Sequence, residues 1–256
     1  MTTLNKNKPA AKAKRDQGGW LETIKTIVSV VLIVLVIRTF LFEPFNIPSG
    51  SMVPTLLVGD YIFVSKYSYG YSKYSFPFIN PPFSGRVWGS LPKRGDVAVF
   101  RLPTDPSIDY VKRIVGLPGD TLQVKHGLLY VNGQPVKRTP GPIFLDDEYG
   151  SPEPIRQFFE TLPGGKTHPI LQKYDDGELD NTAIYTVPPG HVFGMGDNRD
   201  NSEDSRVLSA VGYIPVENLV GKAEFRFFSF DSNTPWWEIW RWPFAIRWSR
   251  LFTPVE

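Results

Sequence analysis

The sequence predicts a mainly β protein, in which an N-terminal transmembrane helix precedes an antiparallel β domain with a smaller inserted subdomain. Three observations support this prediction. A single uncharged apolar run lies near the N-terminus, and the chain after it consists of short apolar stretches broken by Gly, Pro, Asp and Asn. One of these breaks, Asn132-Gly133, is a strong signal for a β-hairpin turn. No segment after the apolar run has a convincing helical period.

The apolar run at residues 20–42 is predicted to be a single membrane anchor. Its uncharged centre, residues 26–37, is short for a bilayer, which needs about 20 residues. Lys25 and Arg38 can extend toward the headgroups and lengthen the span. A cleaved signal peptide should end in small residues, and the Phe-Leu-Phe-Glu-Pro-Phe that follows argues against one. The basic tail at residues 1–19 then predicts a cytoplasmic N-terminus, with the rest of the chain outside.

The remaining chain divides by composition. Residues 43–137 and 187–235 are predicted to form one β domain, with strands at 61–64, 97–101, 110–115, 128–131, 192–195 and 222–228. Residues 138–186 are rich in Pro, Gly and acidic residues, which indicates an inserted subdomain or a long loop. The Trp/Arg-rich segment at residues 236–256 is compatible equally with a membrane interface and with packing on the sheet.

Composition excludes several kinds of site. The chain has no cysteine, which rules out disulfides, thiol catalysis and zinc–thiolate sites. The three histidines are well separated, so that a metal site would depend on carboxylates. The net charge is +2, and no basic stripe with interleaved aromatics lies outside the N-terminal tail, so we expect no nucleic-acid partner.

Ser51 is a candidate nucleophile within Pro-Ser-Gly-Ser-Met-Val-Pro, residues 48–54. Gly50 removes side-chain bulk beside it, and Pro48 and Pro54 stiffen the backbone on either side. Such a turn can present a hydroxyl together with free backbone N–H groups, as an oxyanion hole requires. Taken alone, the pattern is more typical of an ordinary loop.

A serine nucleophile needs a base, and histidine is the usual one. The sequence around His126 and His168 favours exposed loop positions for both. His191 opens a predicted strand and is the one histidine that stays a candidate.

Lys112 is the alternative base, because it lies inside the predicted strand at residues 110–115. Because side chains alternate between the two faces of a strand, Lys112 shares a face with Tyr110 and Ile114. Arg113 lies on the other face, and its guanidinium cannot act as a base because it does not deprotonate in proteins. Lowering the pKa of a lysine from about 10.4 to about 8 costs on the order of 3 kcal/mol, which burial beside apolar groups can supply. For this segment alone, a strand lysine that reaches solvent is the commoner interpretation.

Residues 194–206 form a third candidate region, dense in turn formers and short polar side chains. A calcium loop of the EF-hand type needs Gly at its sixth position and Glu at its twelfth. Counting from Asp197 or from Asp200 puts other residues at both positions, so neither frame fits. The alternative is a polar network that orients an active-site group, with an ion pair between Asp204 and Arg206.

The chain resembles bacterial signal peptidase I, a family of proteases that use a Ser/Lys dyad. Four blocks occur in the order typical of the family, and the similarity extends from about residue 44 to residue 223. Each block alone could arise by chance, but four in order are highly specific. They are residues 48–56, residues 59–64, residues 94–97 together with 110–120, and residues 196–206.

The resemblance implies a role for each matching residue. Ser51 would attack the scissile carbonyl, and a neutral Lys112 would take its proton. The hydroxyl of Ser49 and the backbone N–H of Ser51 would form the oxyanion hole. Ser202 would hydrogen-bond Lys112, with Asp204 and Arg206 supporting that loop.

The resemblance also implies how a substrate binds. The family cleaves after a small residue with another small residue two positions earlier, and it holds the peptide as an added strand beside the edge formed by residues 109–112, which begins at Asp109. The pocket wall would be apolar, which suits Ala-like side chains and helps to keep Lys112 dry. The matching wall residues are Phe45, Ile47, Pro48, Met52, Leu56, Tyr110 and Val111.

Further expectations come with the family. The partners would be membrane lipid and exported preproteins that carry signal peptides. The chain would be a monomer, and neither metal nor cofactor is implied. The location would be the bacterial inner membrane, crossed once, with the catalytic domain on the periplasmic side. Many family members have two spans where one is predicted here, and residues 207–215 form a slightly longer loop than usual. A Ser/His hydrolase using His191 and a non-catalytic membrane-tethered β domain remain the alternatives.

Overall fold

The computed structural model describes residues 19–76, 81–146, 152–231, 234–235 and 237–256. The predicted basic tail, up to residue 18, lies outside these ranges, as does Trp236. Within them, the helices are α1 (Gly19–Phe40) and α2 (Trp242–Ala245), with short 3-10 turns at Gly50–Met52, Lys73–Ser75, Val216–Asn218, Ile239–Arg241 and Trp248–Arg250.

The described residues otherwise form short strands. In chain order these are β1 (Phe42–Asn46), β2 (Asp60–Ser65), β3 (Val97–Arg101), β4 (Asp109–Gly116), β5 (Thr121–Lys125), β6 (Leu128–Val131), β7 (Gln134–Pro135), β8 (Lys137–Pro140), β9 (Phe144–Asp146), β10 (Glu153–Thr161), β11 (Thr167–Gln172), β12 (Tyr185–Thr186), β13 (His191–Met195), β14 (Ile214–Pro215), β15 (Leu219–Ser229) and β16 (Thr253–Pro254). Every strand predicted from the sequence is present, with ends within three residues of the prediction.

Helix α1 is the helix in the described ranges that is long and apolar enough to cross a membrane. Its 22 residues span roughly 33 Å at 1.5 Å per residue, which matches a hydrocarbon core of about 30 Å. The helix ends at Phe40, and the chain enters β1 at Phe42. Pro44 explains why the helix does not continue, since proline lacks the N–H that a helix interior requires.

The main sheet has eight strands, in the order β1-β2-β15-β3-β4-β13-β14, with β16 paired to β15. Every pairing in it is antiparallel. The prediction of a mainly antiparallel β fold behind an N-terminal apolar helix is therefore confirmed. Strand β13 pairs with β4 only from Arg113 to Gly116, so residues Asp109 to Lys112 of β4 have β3 on one side and no described strand on the other.

Two smaller sheets lie beside the main one. Strands β12, β5, β6 and β7 form the first, and Asn132-Gly133 makes the tight turn between β6 and β7. Both turn residues have positive φ, 53° and 76°, as the hairpin signal requires. The second sheet, β8 to β11, is formed by strands between residues 137 and 172, almost all within the predicted insertion at residues 138–186. A parallel bridge from Leu171 in β11 to Asn198 joins this sheet to the loop after β13.

In the C-terminal segment, two arginine side chains contact the β body, whereas two tryptophan side chains are mostly exposed. Arg247 donates to the carbonyl of Val58, and Arg250 donates to the carboxylate of Asp60, both on the β body. Trp240 and Trp248 are mostly exposed. The arginines therefore hold this segment on the β body, while several of its aromatic rings face outward.

Candidate active site

The turn that carries Ser51 is anchored from both sides by buried apolar residues. Ser51 lies in the 3-10 turn Gly50–Met52, directly after extended Ser49. Ile47, which precedes the turn, and Met52, its last residue, are buried in the apolar core of the main sheet. The Ser49 side chain makes no capping hydrogen bond to the turn, which leaves its hydroxyl available to another partner.

Lys112 reaches this turn from the middle of β4. Its Nζ donates to Ser51 Oγ at 2.7 Å, although the two residues are 61 positions apart in the chain. Only 3% of Lys112 is exposed, and its Nζ lies 5.3 Å from the centre of the Tyr110 ring. Burial lowers the pKa of Lys112 to about 8, although the nearby Asp204 carboxylate acts in the opposite direction. The structure thus pairs the predicted nucleophile with the predicted base and makes that base easy to deprotonate.

Asp204 is the centre of the loop at residues 196–206. Its carboxylate accepts hydrogen bonds from the backbone N–H of Gly196 at 3.0 Å and from the Ser202 hydroxyl at 2.9 Å. Arg206 forms the predicted ion pair with Asp204 at 2.8 Å. Burial acts to raise the pKa of Asp204, but Arg206 outweighs it and keeps the carboxyl below its ordinary value. Ser202 thus donates to Asp204, and the expected hydrogen bond to Lys112 is not among the described contacts.

The same loop also binds the Ser51 turn. The backbone N–H of Asn198 donates to Ser51 O at 3.1 Å, and its side-chain amide donates to Gly50 O at 3.2 Å. Gly196 permits this close approach, because a Cβ there would lie 2.5 Å from Ser51 O and 2.1 Å from Ser202 Oγ. Two bonds from one residue fix the carbonyls of the turn and hence the direction of its backbone N–H groups.

A buried network of charges lies behind the dyad. Arg113, the neighbour of Lys112, makes a bidentate contact with Asp197 at 2.9 and 2.8 Å, and both side chains are fully buried. Thr55 donates to the same carboxylate. Burial acts to raise the pKa of Asp197, but Arg113 outweighs it and leaves the pKa below its ordinary value. The network joins β4, the Ser51 segment and the loop after β13.

The insertion contributes a second buried ion pair to this region. Glu160 of β10 binds Arg199 through two hydrogen bonds, at 3.1 and 2.5 Å. His168 of β11 lies between the two pairs, 3.6 Å from Glu160 and 3.8 Å from Asp197. The interpretation of His168 as an exposed loop residue is therefore wrong: it is 1% exposed, and burial lowers its pKa to about 4. Its β strand passes under the active-site loop, which its local sequence does not indicate.

The dyad opens into a cavity of about 590 Å³. Most of the pocket residues expected from the sequence line it, among them Phe45, Asp109 and Val111. Leu56 does not, because its side chain is fully buried in the core below. Several further residues line the cavity that were not predicted as pocket residues: three are sequence neighbours of predicted ones, and two come from the loop after β13. They are Asn46, Gly50, Ile108, Asn201 and Glu203.

The two other histidines lie away from the cavity lining. His191 opens β13, and its Nδ1 lies 3.0 Å from the carbonyl of Pro189. His126 has a positive φ of 46° and follows β5. In the part of the chain that the structure describes, no group of three or more His, Asp or Glu side chains could hold a metal ion.

Comparisons with known proteins point to one family. The sequence model of the signal peptidase family, peptidase S26, matches residues 20–228. Signal peptidase I of Rickettsia canadensis is 43% identical, over 84% of this chain and 81% of the relative. Signal peptidase I of Rickettsia typhi is 41% identical, over 93% of this chain and 96% of the relative. A signal peptidase I from Enterococcus faecalis with a known crystal structure has 25% sequence identity to this chain. The structural alignment covers 52% of this chain and 97% of that protein's chain, with a TM-score of 0.32.

Proposed function

Because this chain belongs to the signal peptidase family, peptidase S26, and so removes signal peptides as a serine endopeptidase, we propose that Ser51 is its nucleophile and neutral Lys112 its general base. The observation that carries the proposal is the 2.7 Å contact between Lys112 Nζ and Ser51 Oγ. A lysine amine within hydrogen-bond reach of a serine hydroxyl has the geometry that general-base catalysis requires.

Burial makes this base effective near neutral pH. An ordinary lysine is neutral in about 1 of 2500 molecules at pH 7. With the pKa of Lys112 lowered to about 8, roughly one molecule in ten carries the free amine at pH 7. The burial of Nζ thus raises the population of the neutral amine more than a hundredfold.

The reaction then proceeds in two acyl-transfer steps. Lys112 Nζ takes the proton of Ser51 Oγ as the oxygen attacks the scissile carbonyl, and the resulting ammonium returns that proton to the leaving amine. Water, deprotonated by the same amine, hydrolyses the acyl-enzyme and releases Ser51. The Ser49 hydroxyl and the Ser51 N–H would stabilise the negative oxygen of both tetrahedral intermediates. The uncapped Ser49 side chain supports this role.

The substrate peptide is proposed to bind along the free edge of β4. Residues Asp109 to Lys112 lack a described strand neighbour on one side and line the cavity there, so that a substrate can add as a strand. Ile47, Met52 and Val111 supply apolar walls close to Ser51. Such walls favour small apolar side chains before the cleaved bond, in agreement with the proposed small-X-small site.

The organisation of the chain is proposed on the same basis. Residues 20–42 would be the membrane anchor, with the N-terminus cytoplasmic. Residues 43–137 and 187–235 would form the catalytic domain outside the membrane, and residues 138–186 would be its inserted subdomain. Exported preproteins are the proposed substrates.

The pH dependence of kcat/KM tests the identity of the base. We expect kcat/KM to rise about tenfold per pH unit below the pKa of Lys112 and to level off above about pH 8, because only the neutral amine accepts the proton. The measurement is cleavage of one preprotein between about pH 6 and pH 9.5 in non-ionic detergent. The His191→Ala variant serves as the matched comparison and should give the same profile.

A profile that levels near pH 6.5 would contradict the proposal, since that is the ordinary range of histidine. Loss of cleavage in His191→Ala would point to the same alternative.

A further inference from the structure

A second cavity, of about 460 Å³, adjoins the active-site cavity. Its walls are a turn of the insertion, from Tyr174 to Leu179, and the loop from Arg199 to Glu203. Asn201 and Glu203 line both cavities, so that the two share a wall immediately beside the dyad. We propose that the second cavity binds the mature part of the preprotein, the residues that follow the cleaved bond, and that it selects against acidic side chains there.

The order of contacts around Ser51 supports this assignment. Strand β1, which directly follows helix α1 in the chain, lines the active-site cavity ahead of Ser51. Val53, two residues after Ser51, packs against Ile155 and Leu171 of the insertion. The insertion therefore contacts the segment that follows Ser51, whereas β1 precedes Ser51 in the chain. A signal peptide bound along β1 and β4 then continues, after the cleaved bond, toward the insertion.

The wall of the second cavity is a fixed structure. Asp200 Oδ2 accepts the backbone N–H groups of Lys173 at 2.7 Å and Tyr174 at 3.0 Å, which ties the insertion turn to the active-site loop. Tyr174 itself is half exposed and offers an apolar face to a passing peptide. A bound chain would thus meet a preformed surface and would not have to order it.

The charge of the lining determines the selectivity. Glu178 and Glu203 are exposed carboxylates on the lining, and Asp200 adds a third negative charge. The cation among the lining residues is Arg199, whose guanidinium is buried and neutralised by its two bonds to Glu160. Glu203 also accepts a hydrogen bond from Tyr110 at 3.2 Å, which keeps its carboxylate at the junction of the two cavities. Lysine and arginine side chains are therefore favoured in this cavity over aspartate and glutamate.

This inference rests on the proposed function, and three preproteins can test the two separately. They would be identical except at the second to fifth residues after the cleaved bond, which are all Gln, all Lys or all Glu. For the full-length chain in non-ionic detergent at low salt, we expect kcat/KM to be about three- to fivefold higher for the Lys substrate than for the Glu substrate, the range of exposed ion pairs. The difference should shrink at about 0.5 M NaCl, because salt screens exposed charges.

Two charge-reversal variants complete the experiment. Glu178→Lys changes the net charge of the three lining carboxylate positions from −3 to −1, so the kcat/KM ratio of the Lys substrate to the Glu substrate should fall toward one. Glu153→Lys is the matched control, since Glu153 is an exposed insertion carboxylate that does not line either cavity, and it should keep the wild-type ratio of the Lys to the Glu substrate.

Equal kcat/KM for all three substrates, or an unchanged ratio of the Lys to the Glu substrate in Glu178→Lys, would overturn the inference. Neither outcome touches the proposed function, which is decided by whether the Gln substrate is cleaved and whether Ser51→Ala abolishes that cleavage.

Discussion

Replacing Lys112 by Met is expected to reduce kcat for preprotein cleavage by about 10⁴- to 10⁶-fold, the range seen when one member of a catalytic unit is removed. Methionine keeps the length and the apolar character of the side chain and removes only the amine that contacts Ser51 Oγ. The fold should persist, because a buried lysine with a lowered pKa is replaced by a group that needs no proton partner. The measurement is single-turnover cleavage of one preprotein with a small-X-small site.

Two further variants make this test specific. Ser51→Ala should lose as much activity, and the double variant should be no slower than either single one, because the two residues act as a unit. Lys222→Met is the matched control: Lys222 also lies on a strand, but its amine faces Asp96, and we expect near-normal cleavage. Substantial cleavage by Lys112→Met would remove Lys112 from the mechanism.

Removing the carboxylate of Asp197 is expected to lower the free energy of unfolding by about 3–5 kcal/mol. Asp197→Ala leaves the fully buried Arg113 guanidinium without its bidentate partner, and an unpaired buried charge is among the costliest defects in a protein. Thr55 also loses its acceptor. The measurement is denaturant unfolding of the full chain in non-ionic detergent.

The exposed pair between Asp175 and Arg156 provides the control. Asp175→Ala should cost less than about 1 kcal/mol, because water screens exposed ion pairs. Replacing both buried partners, Asp197→Leu with Arg113→Met, should recover much of the lost stability, since no isolated charge remains. A loss in Asp197→Ala no larger than that in Asp175→Ala would show that this buried pair contributes little to the fold.

Local patterns in the sequence account for most of the main sheet and for the face of β4 on which Lys112 lies, whereas the pairing of Lys112 with Ser51 was expected only from the resemblance to a known family. The period-two alternation in residues 110–115 puts Lys112 on the same face as Tyr110, and in the structure the amine lies near that ring. The Asn-Gly pair predicts the hairpin between β6 and β7, because a two-residue hairpin turn needs positive φ at both residues and Asn and Gly adopt it readily. These features depend on neighbours a few residues apart, which a sequence displays directly.

Contacts between residues far apart in the chain could not be predicted from the sequence patterns. His168 sits in a segment rich in proline and glycine, yet β11 carries it into the buried charges around Asp197 and Glu160. Leu56 belongs to the apolar block that follows Ser51, but the chain turns it into the core and away from the cavity. Glu203 reaches the cavity wall only because the loop after β13 folds over β4. Each of these positions depends on how the sheets pack, which no local pattern encodes.

The pKa of Lys112 is the quantity on which the proposed mechanism depends, and NMR of the full chain with isotope-labelled lysine measures it directly. Among the lysines that the structure describes, two amines should titrate below the ordinary range, since burial also lowers the pKa of Lys66. The resonance missing from Lys112→Met identifies the one that matters. We predict that it titrates near pH 8. Titration of that amine near its ordinary value of 10.5 would show that Lys112 is charged at rest and would contradict its role as the general base.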